Sequence, residues 1–265
     1  MSTRLNWAEK VKALEEYLKL PTTPVGWKVV KSPDEFPKEA KRPKRDYGFP
    51  ITMCKANTMA RTMGITTAFT AEDCDCYNGL LFWGWGELEG GWKVFEDYWM
   101  DGKLIKKTRE AAKAHIEALK KFSFKKGECG GVVISPAKLG LIDPDAIWVY
   151  GNPTQVEILL WAFLREGDGK QKLTFSGLAV CLDAVIQTTR TQEAGILPPC
   201  PDDRRSGTQD YEMIFAFPRS KLDEIVEGLR VFAEYGSWVY PWKLNLTYPS
   251  YWPPKAKELI SKIKR

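Results

Sequence analysis

Residues 71–79 read Ala71-Glu-Asp-Cys-Asp-Cys-Tyr-Asn-Gly79, so Cys74 and Cys76 sit one position apart in a chain of 265 residues with six cysteines and one histidine. Thiols can be buried filler, a disulfide, a nucleophile or a metal ligand. A Cys74–Cys76 disulfide closes a small, strained ring and is disfavoured. A Cys-His nucleophile needs a base, and the sole histidine, His115, lies between Lys113 and Glu117 on a Lys-rich segment that reads as a helix surface. Imidazole-dependent zinc sites fall with it. Buried thiols and a thiolate-bound metal remain.

Two further stretches could do chemistry. Phe82-Trp-Gly-Trp-Gly86 puts Trp83 and Trp85 close behind the double cysteine, with Trp92, Tyr98 and Trp99 following. Indoles there could stack on a flat ligand, shield a cofactor or simply close a core. Gly151-Asn-Pro-Thr-Gln155 follows an apolar run and opens a helical one, so its backbone N–H groups could meet an anion. Asn152 and Gln155 are the candidates there, and a plain turn capped by Thr154 is the alternative. Its glycine content is too low for a dinucleotide or phosphate loop. The basic run Lys41-Arg-Pro-Lys-Arg45 is a solvated loop or a contact for an acidic partner.

The elements that must position these residues form a pattern that recurs. Val132-Val-Ile-Ser-Pro-Ala-Lys-Leu139 resembles Ile214-Phe-Ala-Phe-Pro-Arg-Ser-Lys-Leu222, each a strand running into a proline suited to a first helical position. Upstream, strands at 25–30 and 146–150 precede helical stretches at 54–63 and 154–165, then short strands at 66–70 and 172–176, then cysteine. The spacing predicts an internally duplicated α/β fold, pseudo-twofold and two-lobed, with mixed sheets, partly parallel pairing and flanking helices. The repeats cover 22–142 and 143–232 of a single domain. An inserted helix spans 107–122, and an aromatic tail over 233–265 wraps the body and ends in a helix at 255–263. At the start, Trp7, Val11, Leu14 and Leu18 mark an amphipathic helix rather than a signal peptide.

Composition narrows the class. With 44% hydrophobic residues the chain can bury a full core, and 39 basic against 34 acidic residues leave +5, too little for a dedicated nucleic-acid binder. No apolar run approaches the roughly 18 residues of a membrane span. A cytoplasmic protein is expected, where six cysteines are thiols, ligands or redox groups rather than a disulfide framework.

The chain resembles the prokaryotic domain-of-unknown-function family 169. The resemblance rests on Thr23-Pro24-Val25, Cys54 with Ala60-Arg61 and Gly64, Cys76 before Gly79, Ser135-Pro136, the run Gly151 to Gln155, Cys181, and Cys200 with a following arginine, Arg204 or Arg205. It implies positions more than a reaction: a cysteine near each of Cys54, Cys76, Cys181 and Cys200, with no counterpart for Cys74 and Cys129. Four thiolates from two halves suit a four-iron four-sulfur cluster, and zinc accepts the same set. The expectation is an iron–sulfur protein of anaerobic redox metabolism, an electron-transfer or accessory factor with a redox partner protein. The alternatives are a metal-free module binding an aromatic or anionic small molecule, with Trp83, Trp85, Asn152, Gln155 and Arg204 as contacts, and an enzyme using Cys76 or Cys200 as a thiolate. Whether it catalyses a reaction, and whether it forms a homo-oligomer, stay open.

Overall fold

The computed structural model describes residues 2–102, 105–166, 179–236, 238–242 and 254–263. The chain opens with α1 (Ser2–Leu18), whose Trp7, Val11, Leu14 and Leu18 are all buried, as their spacing predicts. There follow β1 (Val25–Val30), α2 (Met53–Met63), β2 (Thr67–Phe69), α3 (Tyr77–Phe82), α4 (Trp92–Asp97), α5 (Arg109–Lys120), β3 (Gly131–Pro136) and β4 (Ala146–Gly151). The remainder is α6 (Pro153–Phe163), a π-helical turn at Leu182–Gln187, α7 (Thr188–Thr191), β5 (Gly195–Leu197), α8 (Pro201–Arg205), β6 (Met213–Pro218), α9 (Leu222–Tyr235) and α10 (Pro254–Lys262). The strand expected over 172–176 and the tail from 243 to 253 lie outside the described residues. No helix among the described residues is long and apolar enough to cross a membrane.

All six strands join one open sheet in the order β2-β3-β1-β4-β6-β5, and every strand pair is antiparallel. This corrects the expectation of mixed sheets with partly parallel pairing. Strand–helix–strand order does make β1 and β2 run the same way, but β3 returns between them and pairs antiparallel with both. β6 does the same between β4 and β5. Among the described residues, parallel contact survives only as isolated bridges, Lys41 with Thr67 and Ile51 with Cys74. Pro136 and Pro218 do not start helices either. Each ends its strand and leads into a 3-10 turn, Ala137–Leu139 or Arg219–Lys221, where a residue lacking an N–H takes nothing from the ladder.

Period-two alternation along the strands builds a different core on each face. One face carries Trp27 of β1, Val132 and Ile134 of β3, Trp148 and Tyr150 of β4, and Ile214 and Ala216 of β6, covered by α2 and the Trp-rich segment. The other carries Ile147, Val149, Phe215 and Phe217, covered by α1, α6 and α9. In α9 and α6 the backbones come close, since a side chain on Gly228 would sit 3.0 Å from Ala162. The helices expected as counterparts, at 54–63 and 154–165, therefore pack on opposite faces. The inserted helix is α5, with Ala112, Ile116 and Leu119 buried as their spacing predicts. His115 is not a free surface residue: its ring lies 4.8 Å from that of Trp99, and burial lowers its pKa.

Candidate metal-thiolate site

All six cysteines belong to or pack against the same core, on the face with Trp27, Trp83 and Trp148. Local sequence explains where each thiol points. Thr52 caps α2 by accepting from the Lys55 N–H, which places Cys54 in the first turn. Cys76 caps α3, its sulfur accepting from the Gly79 N–H at 3.4 Å. Gly79 cannot be replaced freely, because a Cβ there would lie 2.7 Å from Cys74 Sγ and 2.8 Å from Met53 Cε. Cys181 precedes the π-helical turn, and Cys200 precedes α8 with Pro201 at its first position.

Of the expected ligands, Cys54, Cys76 and Cys181 are half-buried and Cys200 is buried. Cys54 Sγ lies 3.9 Å from Cys200 Sγ. Either sulfur can donate across this contact; the Cys54 thiol is raised by the hydrogen bond to Cys200 and by burial, while Cys200 is lowered by the bond to Cys54 against its burial, with help from the backbone N–H groups of Asp203 and Asp202. Burial raises Cys181 most, with Cys76 and Cys200 adding to it, and burial likewise raises Cys76. The four thiols thus feel one another's charge across four separate chain segments. Cys74 differs. It is buried, and desolvation pushes it to about 12. Cys129 is also pushed to about 12 by burial, and its Sγ–H donates to the Gly131 carbonyl.

Among the described residues, the Trp83 indole N–H and one oxygen of Asp203 beside these thiols have no hydrogen-bond partner at the usual distance. The buried Trp83 indole N–H has none at hydrogen-bonding distance, yet lies beside Cys181, where it favours the thiolate. Asp203 is wholly buried and its Oδ2 is unpartnered, while its Oδ1 accepts from the Tyr150 hydroxyl at 3.3 Å. Burial pushes the Asp203 carboxyl up to about 7. Tyr150 is itself covered by the Arg61 guanidinium, 4.1 Å from its ring centre, and Arg61 pairs with Glu212 through both Nη atoms at 2.7 and 2.9 Å. Sequence reasoning missed Asp203, Tyr150 and Glu212. The one available signal was that Asp203 stands three residues after Cys200, one turn along any helix beginning there.

The weaker candidates make structural contacts. Asn152, not Thr154, caps α6, in a reciprocal box with Gln155, and Gln155 also donates to the Leu18 carbonyl. Both line a cleft of about 240 Å³ with Lys19, Tyr211, Glu212 and Tyr240. Trp83 stacks between Trp27 and Phe124, and the Trp85 indole donates to the Cys129 carbonyl. Arg204 and Arg205 point to Asp210 and Asp202.

Fold and site together define an α/β protein whose open antiparallel sheet carries a thiol-lined, tryptophan-rich face. The chain belongs to the domain-of-unknown-function family 169, described as uncharacterised ArCR, which it matches over residues 13–228. It is also similar to an uncharacterised protein of Methanocaldococcus jannaschii, 30% identical over 130 residues, 48% of this chain and 54% of that protein. The chain thus spans about half the length of the curated relative it matches. No solved structure matches it.

Proposed function

We propose that this chain is an iron–sulfur protein holding a four-iron four-sulfur cluster through Cys54, Cys76, Cys181 and Cys200, and that it transfers electrons or serves as an accessory factor in the redox metabolism of an anaerobic cytoplasm. The observation that carries the reading is that these four thiols, from four chain segments, pack on one apolar face, with Cys54 and Cys200 3.9 Å apart and Cys181 sensing both Cys76 and Cys200. The donor set suits iron and sulfide. The unpaired Trp83 N–H supplies a hydrogen bond to sulfur, and the surrounding indoles exclude water, two influences that set a cluster's potential.

The reading includes duplication of the chain. β1 and β4 each have six residues, β3 and β6 six, and β2 and β5 three. Val25 faces Pro136 as Ala146 faces Pro218, and Thr67 faces Ile134 as Gly195 faces Ala216. In the central pair, Val25 opposite Trp148 mirrors Trp27 opposite Ala146. On this register Cys54 and Cys181 precede the edge strands β2 and β5, while Cys76 and Cys200 follow them. Cys76 thus corresponds to Cys200, and no longer to Cys181. The four ligands become two pairs related by an axis between β1 and β4.

Anaerobic purification followed by iron and acid-labile sulfide analysis tests the proposal. Four irons and four sulfides per chain are expected, lost in a serine variant of any of the four cysteines and kept in Cys129→Ser. A colourless, iron-free protein after reconstitution with iron and sulfide would sink it.

A further inference from the structure

Among the described residues Asp203 forms no salt bridge, and it is felt only at a distance by the Arg61 guanidinium, with the Cys54 thiol alongside. Its Oδ2 lacks a partner although the residue is wholly buried, and a buried carboxylate left unpaired costs several kcal/mol. The guanidinium that senses it, Arg61, is occupied by Glu212 on both Nη atoms, with a further contact from Nη1 to Thr22. Tyr150 holds Oδ1 and so fixes which oxygen stays free. Cys54 Sγ, Cys200 Sγ and a carboxylate oxygen of Asp203 all lie within 4.8 Å of one another. A tetrahedral ion with metal–sulfur bonds of about 2.3 Å holds its sulfurs roughly 3.8 Å apart. The Cys54–Cys200 separation of 3.9 Å matches that edge.

We propose that Cys54, Cys200 and Asp203 form a three-donor site for a single divalent ion of the zinc or ferrous class, filled when no cluster is assembled. Two thiolates exclude calcium and magnesium, which require oxygen donors. The carboxylate adds a hard donor that a four-cysteine site lacks, and the Tyr150 hydroxyl orients it as an outer partner. The fourth position is left to water or to Cys76. The site shares Cys54 and Cys200 with the cluster reading but needs neither sulfide nor Cys181, so the two stand or fall separately.

The test is a titration of the metal-free, full-length chain with cobalt(II) in the absence of sulfide, following the thiolate-to-cobalt charge-transfer band and the d–d bands, with zinc as competitor. One cobalt per chain is expected, with loss of the band in Cys54→Ala and Cys200→Ala. Asp203→Asn should bind roughly 100-fold more weakly, while Cys181→Ser, defective in cluster assembly, should still bind. X-ray absorption on the unsubstituted chain loaded with zinc gives a reading that no folding defect can confuse: two or three sulfurs with oxygen in the first shell. Undiminished affinity in Asp203→Asn, four sulfurs around zinc, or equal loss in Cys181→Ser would overturn the proposal. Cobalt binding in a chain that never takes up iron and sulfide would instead sink the cluster reading and leave this site standing.

Discussion

At the scale of single residues, the feature with the sharpest consequence is a buried carboxyl group that forms no salt bridge among the described residues. Asp203 titrates near 3.8 in an unfolded chain and at about 7 in the native one, so the native state binds its proton more tightly. Its ionisation therefore opposes folding: there is no cost below pH 4, the cost grows between pH 4 and 7, and it reaches about 4 kcal/mol above that. Metal-free Asp203→Asn should be more stable than the parent at pH 8 by up to that amount, and by less than half as much at pH 5. Urea denaturation at the two pH values measures it, and an equal gap at both would refute the assignment. The sequence does not single out Asp203 from its neighbour Asp202, because the two differ in burial and not in type. The four thiols were legible only through family resemblance, since no two of them have the close C-x-x-C spacing that marks a ligand pair by itself.

At the scale of elements, helix starts position the ligands. Cys54 lies in the first turn of a Thr52-capped helix, and Cys76 acts as a cap, accepting from the Gly79 N–H. Gly79→Ala drives a methyl group against Cys74 Sγ and Met53 Cε, and shifting either moves the turn that carries Cys76. Overpacking of this kind costs about 1–3 kcal/mol. The variant should fold with a lowered urea midpoint and assemble less cluster, measured as iron per chain against Gly86→Ala, whose Cβ would make only ordinary contact, 3.4 Å from Leu80. Most helices and strands follow from apolar spacing, as α1 and α5 show. Pairing direction did not. A strand, a helix and a strand read alike whether the two strands touch or a later strand enters between them, and the later strand here, β3, lies more than sixty residues beyond β2 in the sequence.

At the scale of the whole molecule, the sheet separates two tasks. The face under α1, α6 and α9 is an aliphatic and phenylalanine core with no cysteine, while the face under α2 and the tryptophan-rich segment holds all six. A ligand bound on that face ties both ends of the sheet to its centre, so loading stabilises the entire chain. Occupancy at 100 times the dissociation constant adds about 2.7 kcal/mol, which for a chain of this size raises Tm by roughly 5–10 °C. Differential scanning calorimetry of the metal-free and loaded forms checks this, and a Tm indifferent to loading would place any bound metal outside the fold. The unequal faces also explain why the proposed repeat is hard to read from the sequence. Strand lengths and ladder partners match between the halves, but α2 and α6, which look alike in sequence position, cover different sides.

The contact between Cys54 and Cys200 spans 146 residues of sequence. During synthesis Cys54 leaves the ribosome long before Cys200 exists, since the second thiol follows β5 in the chain. A nascent or truncated chain offers metal at most an incomplete set of donors. If the proposed site binds metal, its loading waits until the chain has been made at least as far as Cys200, so a loaded chain is one whose two halves have met.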